Sequence, residues 1–373
     1  MADLLPLNAL IVLTAFTGNA TDYAAIEQGD PSARGARTRA IPQLMRFMHV
    51  PGLSIAIWDD AEIVFAKAYG VTDAKTKQAV TTETQFQAAS ISKPVNAMAV
   101  VKAVEEGRLR LDEDINSILK SWRLPKNRFA RNSVTLRMLL SHTAGTTTEG
   151  FDGYTPQERV PSIVDVLNGK GNSPAVEVRV KPFSRRMYSG GGVCVVQLAL
   201  MDTYRKAYAA LLKESVLDPA QMNDSSFGDP LSPKVAAHGH DQDGEVFAYP
   251  WRVFPEQAAA GLWTTPSDLA RFGLAVQQAV AGEADAIITR HSARQMSTPV
   301  GIGDYALGFR VSKRGDATYL EHGGSNQGFK AMLLVARDGA YGVAIMNNSD
   351  SGSLILRELR DRVGQTLNWP GFD

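Results

Sequence analysis

The sequence holds one cysteine, Cys194, in 373 residues. A single thiol cannot close an internal disulfide or build a cysteine-based metal cluster. It lies in the apolar run Val193-Cys194-Val195-Val196, which reads as a small buried residue and not as a reactive thiol. Surplus charge is also missing. Lys+Arg and Asp+Glu number 39 each, and no Lys/Arg run stands out, so neither nucleic acid nor an anionic membrane surface is an expected partner. No stretch is long and apolar enough to span a bilayer. Internal repeats and low-complexity segments are lacking.

Several catalytic signatures are absent as well. There is no Gly-x-Ser-x-Gly elbow and no His-Glu-x-x-His zinc motif. Gly190-Gly191-Gly192 lacks the Gly-Lys-Ser/Thr that completes a phosphate loop. His238, His240, Asp241 and Asp243 could in principle hold a cation. However, Asp241-Gln242-Asp243-Gly244 lacks EF-hand spacing, and Asp243-Gly244 reads better as a hairpin turn. Neither a metal nor a cofactor is expected. His49 and His142 read as loop or packing residues.

The N-terminus is ambiguous. Leu7–Phe16 is apolar and is followed by Gly18-Asn19-Ala20, which resembles a signal-peptide core with a small-residue cleavage site. Asp3 and the lack of Lys or Arg before the run are wrong for its basic start. The reading leans towards a periplasmic or secreted protein. The alternative is a cytoplasmic protein with a packed N-terminal helix.

What is present suits a globular chain. Hydrophobic residues make up 44% and charged residues 21%, and the length allows one large domain or two packed together. The stretch that organises the rest is Ala88-Ala89-Ser90-Ile91-Ser92-Lys93-Pro94. It opens a helical pattern in which Ala97, Val100, Val101 and Val104 repeat on one face and Gly107 ends the run. Positions three apart share a helix face, so the Ser90 hydroxyl and the Lys93 amine can converge. A serine beside a group able to take its proton is what nucleophilic catalysis needs. The helix N-terminus would favour negative charge developing on its oxygen.

Around this stretch the pattern alternates between strands and helices. Ala40–Met48 reads as a helix ended by Pro51-Gly52. Leu53–Trp58 reads as a buried strand, and Glu62–Tyr69 as its hairpin partner across Asp59-Asp60. Thr81–Ala89 reads as a polar approach to the Ser90 helix. The long middle reads as mostly helical, with candidates at Thr135–Leu140, Pro156–Leu167, Ala207–Val216 and an apolar segment from Ser189-Gly190-Gly191-Gly192 to Leu200. A hairpin is predicted at Ala236–Phe247. Thr265-Pro266-Ser267-Asp268 is a capped helix start with proline at the first position. Near the end, Tyr305–Val311, Thr318–Glu321, Phe329–Val335 and Tyr341–Met346 read as an antiparallel meander turned at Arg314-Gly315-Asp316 and Arg337-Asp338-Gly339. A helix at Leu354–Leu367 closes the chain. The expected fold is α+β, with one mostly antiparallel sheet built from both ends of the chain. Residues 1–107 and 296–373 would form the sheet domain and 108–295 a mainly helical one, with the active-site cleft between them.

Ser-x-x-Lys alone is weak, since Ser117-Ile118-Leu119-Lys120 matches it and reads as a solvated pair. Singly, Ser90 could be a helix cap, Tyr188 a loop anchor and His322-Gly323-Gly324 a strand end. In order, Ser90-x-x-Lys93, Tyr188-Ser189-Gly190 and His322-Gly323-Gly324-Ser325 make the sequence resemble the serine β-lactamase and penicillin-binding-protein superfamily. It looks closest to the branch of class C β-lactamases, DD-carboxypeptidases, D-aminopeptidases and family VIII carboxylesterases. The resemblance runs from about Val50 to Trp369. It also takes in Val50-Pro51-Gly52-Leu53-Ser54, Leu139-Leu140-Ser141-His142-Thr143-Ala144-Gly145 and Gly261–Leu269.

The resemblance implies a β-lactamase-like fold and a set of roles. Ser90 would be the nucleophile, Lys93 its lysine and Tyr188 the tyrosine of the second motif. His322, Gly323 and Gly324 would form the third, substrate-binding motif, and the backbone N–H groups of Ser90 and Ser325 the oxyanion hole. Desolvation of Lys93 would disfavour its charged form, and a cation beside Tyr188 would favour tyrosinate. The glycines at 323 and 324 would let substrate approach the strand. Gly190 stands where such enzymes usually carry asparagine, and His322 where they usually carry lysine. These two departures point away from efficient β-lactam turnover and towards simple esters. The implied function is a serine hydrolase, with a small-molecule ester, an amide or a D-amino-acid peptide as substrate. The first candidate is a carboxylesterase. The alternatives are a D-aminopeptidase, a DD-carboxypeptidase or a weak β-lactamase, or else a penicillin-binding sensor that acylates without turnover.

Overall fold

The computed structural model describes residues 20–30, 35–130 and 133–372. The signal-like run Leu7–Phe16 lies outside them. Among the described residues, no helix is long and apolar enough to cross a membrane.

Strand β1 (Gly52–Asp59) is buried along its whole length, because both faces of its sheet are covered. Successive side chains point to opposite faces. Ile55 and Ile57 therefore join one core, with Leu44 and Ile355, while Ala56 and Trp58 join the other, with Phe272 and Val276. Strand β2 (Glu62–Gly70) folds back on β1. Asp60 and Ala61 turn the chain with φ of 50° and 63°, as a two-residue hairpin loop matched to strand twist requires.

At the other end of the chain, β6 (Arg310–Arg314), β7 (Ala317–Asn326), β8 (Phe329–Ala336) and β9 (Gly342–Asn347) form the meander. It joins the first hairpin through β9 and β1, with Ile55 opposite Ile345. The sheet order is β2-β1-β9-β8-β7-β6, antiparallel throughout. Helices α1 (Ala20–Gln28), α2 (Ile41–Phe47) and α12 (Ser353–Thr366) contribute to one core. Helix α10 (Pro266–Ala281) covers the opposite face, where Trp58 Nε1 donates to Gln277 Oε1 at 2.9 Å.

Between the two halves of the sheet run α3 (Ser92–Glu105), α4 (Ile115–Ile118), α5 (Leu136–Leu140), α6 (Ile163–Leu167), α7 (Gly190–Tyr204), α8 (Tyr208–Leu212), α9 (Gln257–Ala260) and α11 (Arg290–Met296). The α+β architecture agrees with the expectation. A three-stranded sheet, in the order β3 (Phe86–Ala89), β5 (Leu262–Thr264), β4 (Ser226–Phe227), was not foreseen.

Several boundaries differ from the sequence reading. Thr81–Ala89 is not simply a polar approach, because its last four residues are the buried strand β3. Helix α6 occupies only the end of Pro156–Leu167, since Ser162 accepts from Asp165 N–H and caps it there. Ala236–Phe247 holds an isolated bridge between His240 and Val246 and no regular hairpin. The segment read as a strand from Tyr305 begins only at Arg310, because Gly308 turns at φ 82° and presses against α3. A side chain on Gly308 would meet Ala97 at 2.8 Å.

Candidate active site

Ser90 lies in the turn between β3 and α3, two residues before the helix and not within it. Ala89 takes φ 48°, a left-handed conformation that costs a non-glycine residue energy and needs support. The support is local. Ser92 Oγ donates to the Ala89 carbonyl at 2.6 Å and accepts from Leu262 N–H at 3.0 Å. Strand β5 thus clamps the turn, and Ser90 emerges half-exposed at its tip.

Lys93 follows one helical step later, with Nζ 2.8 Å from Ser90 Oγ. The amine also donates to the Ala259 carbonyl at the end of α9, again at 2.8 Å. Among the described residues no carboxylate pairs with it, and it is buried. Desolvation therefore pulls its pKa down to about 7, opposed by a smaller effect of Cys194. An amine in that condition is half neutral near pH 7 and can accept a proton.

Tyr188 reaches the same place from the far side of the cleft. Ser189 caps α7 by accepting from Gly192 N–H and donates to the Thr147 carbonyl. The preceding tyrosine is thereby brought to the cavity that Ser90 also lines. The Lys93 amine stands 5.0 Å from the centre of its ring. That neighbour does not make tyrosinate the stable form. Burial dominates and pushes Tyr188 up to about 12, so the phenol stays protonated and is able to donate a hydrogen bond.

Gly190, Gly191 and Gly192 form the first turn of α7, packed too closely for side chains. A Cβ on Gly190 would come within 2.9 Å of the Phe151 ring, and one on Gly192 within 2.6 Å of Thr146 Oγ1. An asparagine at 190 would therefore have to displace Phe151.

The third motif is an edge. Strand β7 pairs with β6 only as far as Glu321, so His322–Asn326 have β8 on one side and no named strand on the other. His322, Gly323, Gly324 and Ser325 line one cavity with Ser90 and Tyr188, about 370 Å³ in volume. Asn326 ties the edge to β3, the strand that leads into Ser90, donating to Gln87 Oε1 at 2.8 Å, and to the end of α9, donating to the Ala260 carbonyl at 3.2 Å.

The two glycines differ in their reasons. A Cβ on Gly324 would collide with the Ala88 carbonyl, whereas one on Gly323 meets nothing nearer than Ala331 O at 3.9 Å. Gly324 is therefore required by the fold of the site, and only Gly323 leaves room for substrate. We expect Gly324→Ala to push β7 from β3, with an unfolding free energy lower by ~1–3 kcal/mol and hydrolysis lost. Gly323→Ala should keep its stability. Urea unfolding and an ester assay of both variants check this pair.

Several cleft residues carry no sequence motif. Tyr305 lines the cavity, and Met332 and Arg357 reach it from β8 and α12. His142 is buried with its ring centre 4.2 Å from that of Tyr188, and its Nδ1 accepts from Ser189 N–H at 3.2 Å. Its role in packing Tyr188 is visible only in three dimensions. The rival pair does not meet: Ser117 Oγ bonds Glu113 and the Asp114 carbonyl, while Lys120 turns to Asp202. His240 has both ring nitrogens engaged, Nε2 accepting from Ala74 N–H and Nδ1 donating to the Asn348 carbonyl. It therefore offers no lone pair to a metal.

Comparison with known proteins supplies a family. A sequence model described as Beta-lactamase matches residues 38–367. Protein flp of Staphylococcus aureus (strain N315) is 23% identical over 310 residues, covering 81% of this chain and 60% of that protein. Penicillin-binding protein 4* of Bacillus subtilis (strain 168) is 24% identical over 302 residues, covering 74% of this chain and 63% of it. The chain thus spans less than two thirds of the length of either relative. Among solved structures, D-amino acid amidase from Ochrobactrum anthropi SV3, complexed with L-phenylalanine, superposes with a TM-score of 0.71 at 19% identity. That match covers 93% of this chain and 97% of the amidase.

Proposed function

This chain belongs to the beta-lactamase family, and from that premise we propose that it is a serine hydrolase working through a covalent acyl-enzyme on Ser90, with small carboxylic esters as substrates. The observation that carries the reading is the 2.8 Å approach of Lys93 Nζ to Ser90 Oγ by an amine that burial holds near pKa 7. In the proposed cycle neutral Lys93 takes the Ser90 proton as Oγ attacks the ester carbonyl carbon. The oxyanion forms towards the Ser90 and Ser325 backbone. Collapse expels the alcohol, which receives the proton through the Tyr188 hydroxyl, and the acyl group stays on Ser90. Water then attacks the acyl-enzyme, gives its proton back through the same groups and releases the acid.

Two features support esters over β-lactams. Phe151 leaves no room for an amide-bearing side chain at position 190. Position 322 carries an imidazole that burial keeps uncharged, so it presents no cation for the β-lactam carboxylate. The His322-x-Gly324 pattern, which also occurs in peptidase relatives, keeps a D-amino-acid amide or peptide as the second reading. Intact-mass detection of a Ser90 adduct, run beside turnover assays with a short-chain ester panel, nitrocefin and a D-alanyl peptide, tests the reading. Ester turnover with a transient adduct is expected. Turnover of only the β-lactam or the peptide would reject the esterase, and a permanent adduct without turnover would make the chain a sensor.

A further inference from the structure

Two exposed apolar side chains stand together at the mouth of the cleft. Phe183 keeps 37% and Ile302 47% of its surface in solvent. Single exposed apolar residues are ordinary, but neighbouring ones on separate loops mark a contact surface. Residues 300–305 close into a loop, because Val300 N–H donates to the Tyr305 carbonyl at 2.9 Å. Gly301 and Gly303 take φ of 66° and 97°, so the chain turns tightly on either side of Ile302 and leaves it at the tip. Phe183 sits on the facing loop. That loop is tied down where Phe183 N–H and Met187 N–H donate to the Thr143 and His142 carbonyls at 2.9 and 2.8 Å. The two loops touch. A Cβ on Gly301 would come within 2.7 Å of the Phe183 ring, and one on Gly303 within 3.2 Å of Arg186 Cδ. Arg186 in turn stands 5.2 Å from the ring centre of Tyr305, and Tyr305 lines the Ser90 cavity. The apolar pair is thus continuous with the cavity wall.

The charge around this pair is mostly of one sign. Residues 179–186 carry Arg179, Lys181, Arg185 and Arg186 and no acid, while 300–305 carry only Asp304. Arg310 holds Asp304 at 2.6 Å and Arg186 at 3.6 Å, and Arg179 pairs with Glu177 at 2.8 Å. Lys181 and Arg185 are exposed and, among the described residues, pair with no carboxylate. A chain that is neutral in total therefore shows a cationic rim around an apolar tip, and the overall balance of charge concealed it. A second copy docked face to face would bring the same cations, so like charge opposes that contact. Anionic lipid suits both features. Apolar side chains enter the boundary between headgroups and acyl chains, and lysine and arginine stay with the headgroups.

We propose that the rim formed by Phe183, Ile302, Lys181 and Arg185 docks the protein on an anionic lipid surface, with the mouth of the Ser90 cavity turned towards that surface. The inference goes beyond the acyl-enzyme reading and does not depend on it, since docking needs none of the groups that would carry the chemistry. It also departs from the expectation drawn from the total charge.

The test is co-sedimentation of the full chain with vesicles of phosphatidylcholine alone and of phosphatidylcholine mixed with phosphatidylglycerol. The wild type should bind the anionic vesicles more tightly by roughly tenfold or more, and added salt should erode the difference. Lys181→Gln combined with Arg185→Gln should bring binding down to the level of the neutral vesicles. Phe183→Asn combined with Ile302→Ser should weaken binding to the anionic vesicles by roughly tenfold or more. Asparagine suits the φ of 60° at position 183, and melting temperatures establish that both double variants fold. Ser90→Ala should bind vesicles as the wild type does. Equal binding to the two vesicle types, or binding that survives either double variant, would overturn the proposal. A dimer in vesicle-free solution that Phe183→Asn with Ile302→Ser splits would also overturn it, in favour of a second copy on this face. If p-nitrophenyl acetate acylates Ser90 but the vesicles leave the protein in solution, only this inference falls. If no ester acylates Ser90 while vesicle binding follows the expected pattern, only the hydrolase reading falls.

Discussion

Ser90→Ala is expected to abolish the covalent adduct and lower ester turnover by roughly 10⁵-fold or more, since loss of an attacking serine removes the whole acylation route. The variant should fold. Ser90 is half-exposed, and the strained turn at Ala89 is held by Ser92 and Leu262 and not by the Ser90 hydroxyl. Binding of a non-hydrolysable substrate analogue should persist, so a lost rate with retained binding isolates the chemistry. Intact mass and stopped-assay kinetics measure the two. If Ser90→Ala kept its activity, the assignment of the whole cleft would be wrong. Ser117→Ala is the control from the rival motif, and its hydroxyl bonds Glu113 on the surface.

Lys93 governs the second large effect, which is a dependence on pH. The amine is an ammonium below about pH 7 and neutral above it, and only the neutral form can take the Ser90 proton. kcat/KM should therefore rise with pH through about 7 and then level off. Lys93→Met should remove that limb and lower the rate by ~10²–10⁴-fold. A profile that falls through pH 7, or one unchanged in Lys93→Met, would exclude lysine as the base.

The same burial predicts a stability effect of opposite benefit. In the unfolded chain this lysine has its ordinary value of 10.5, and in the folded chain about 7. Between the two the unfolded state binds more protons, so stability gains from rising pH. The cost of burying the lysine is full below about pH 7 and fades towards 10.5. Lys93→Met should accordingly melt higher than the wild type at pH 6, by a margin that narrows at pH 9. Melting curves at the two values decide this. A lower melting temperature for the variant at pH 6 would mean that the bonds to Ser90 and Ala259 outweigh the desolvation.

Much of the architecture was legible because local physics dictates it. The β1–β2 hairpin follows from an apolar run, a turn and a partner strand. Helix α10 follows from Thr265, Pro266 and Asp268, and Thr265 Oγ1 does accept from Asp268 N–H. The terminal meander lies between the expected turns. Less legible was β3, because four residues buried on all sides show no alternation that would separate a strand from a loop. Tyr305 was read as the start of a strand for the opposite reason. Its stretch is apolar enough for a strand, but Leu307 and Phe309 are buried in a segment bent at Gly308.

By itself, the sequence determined the α+β sheet drawn from both chain ends and nominated Ser90, Lys93, Tyr188 and His322 as one constellation. The sheet follows from periodicity and residue type, which operate over a few residues, whereas the constellation follows from the resemblance of its three motifs to those of the serine β-lactamase and penicillin-binding-protein superfamily. Only the tertiary structure decided the chemical state of those groups. Lys93 near 7, Tyr188 near 12 and the uncharged imidazole of His322 depend on what packs around each side chain, and those neighbours lie far off in the chain. Lys93 is bonded by Ala259, Tyr188 is packed by His142, and Gly324 is pressed by Ala88. Desolvation depends on the atoms that surround a group, and in this chain the fold brings those atoms from β3, α7, α9 and β7 to one cleft.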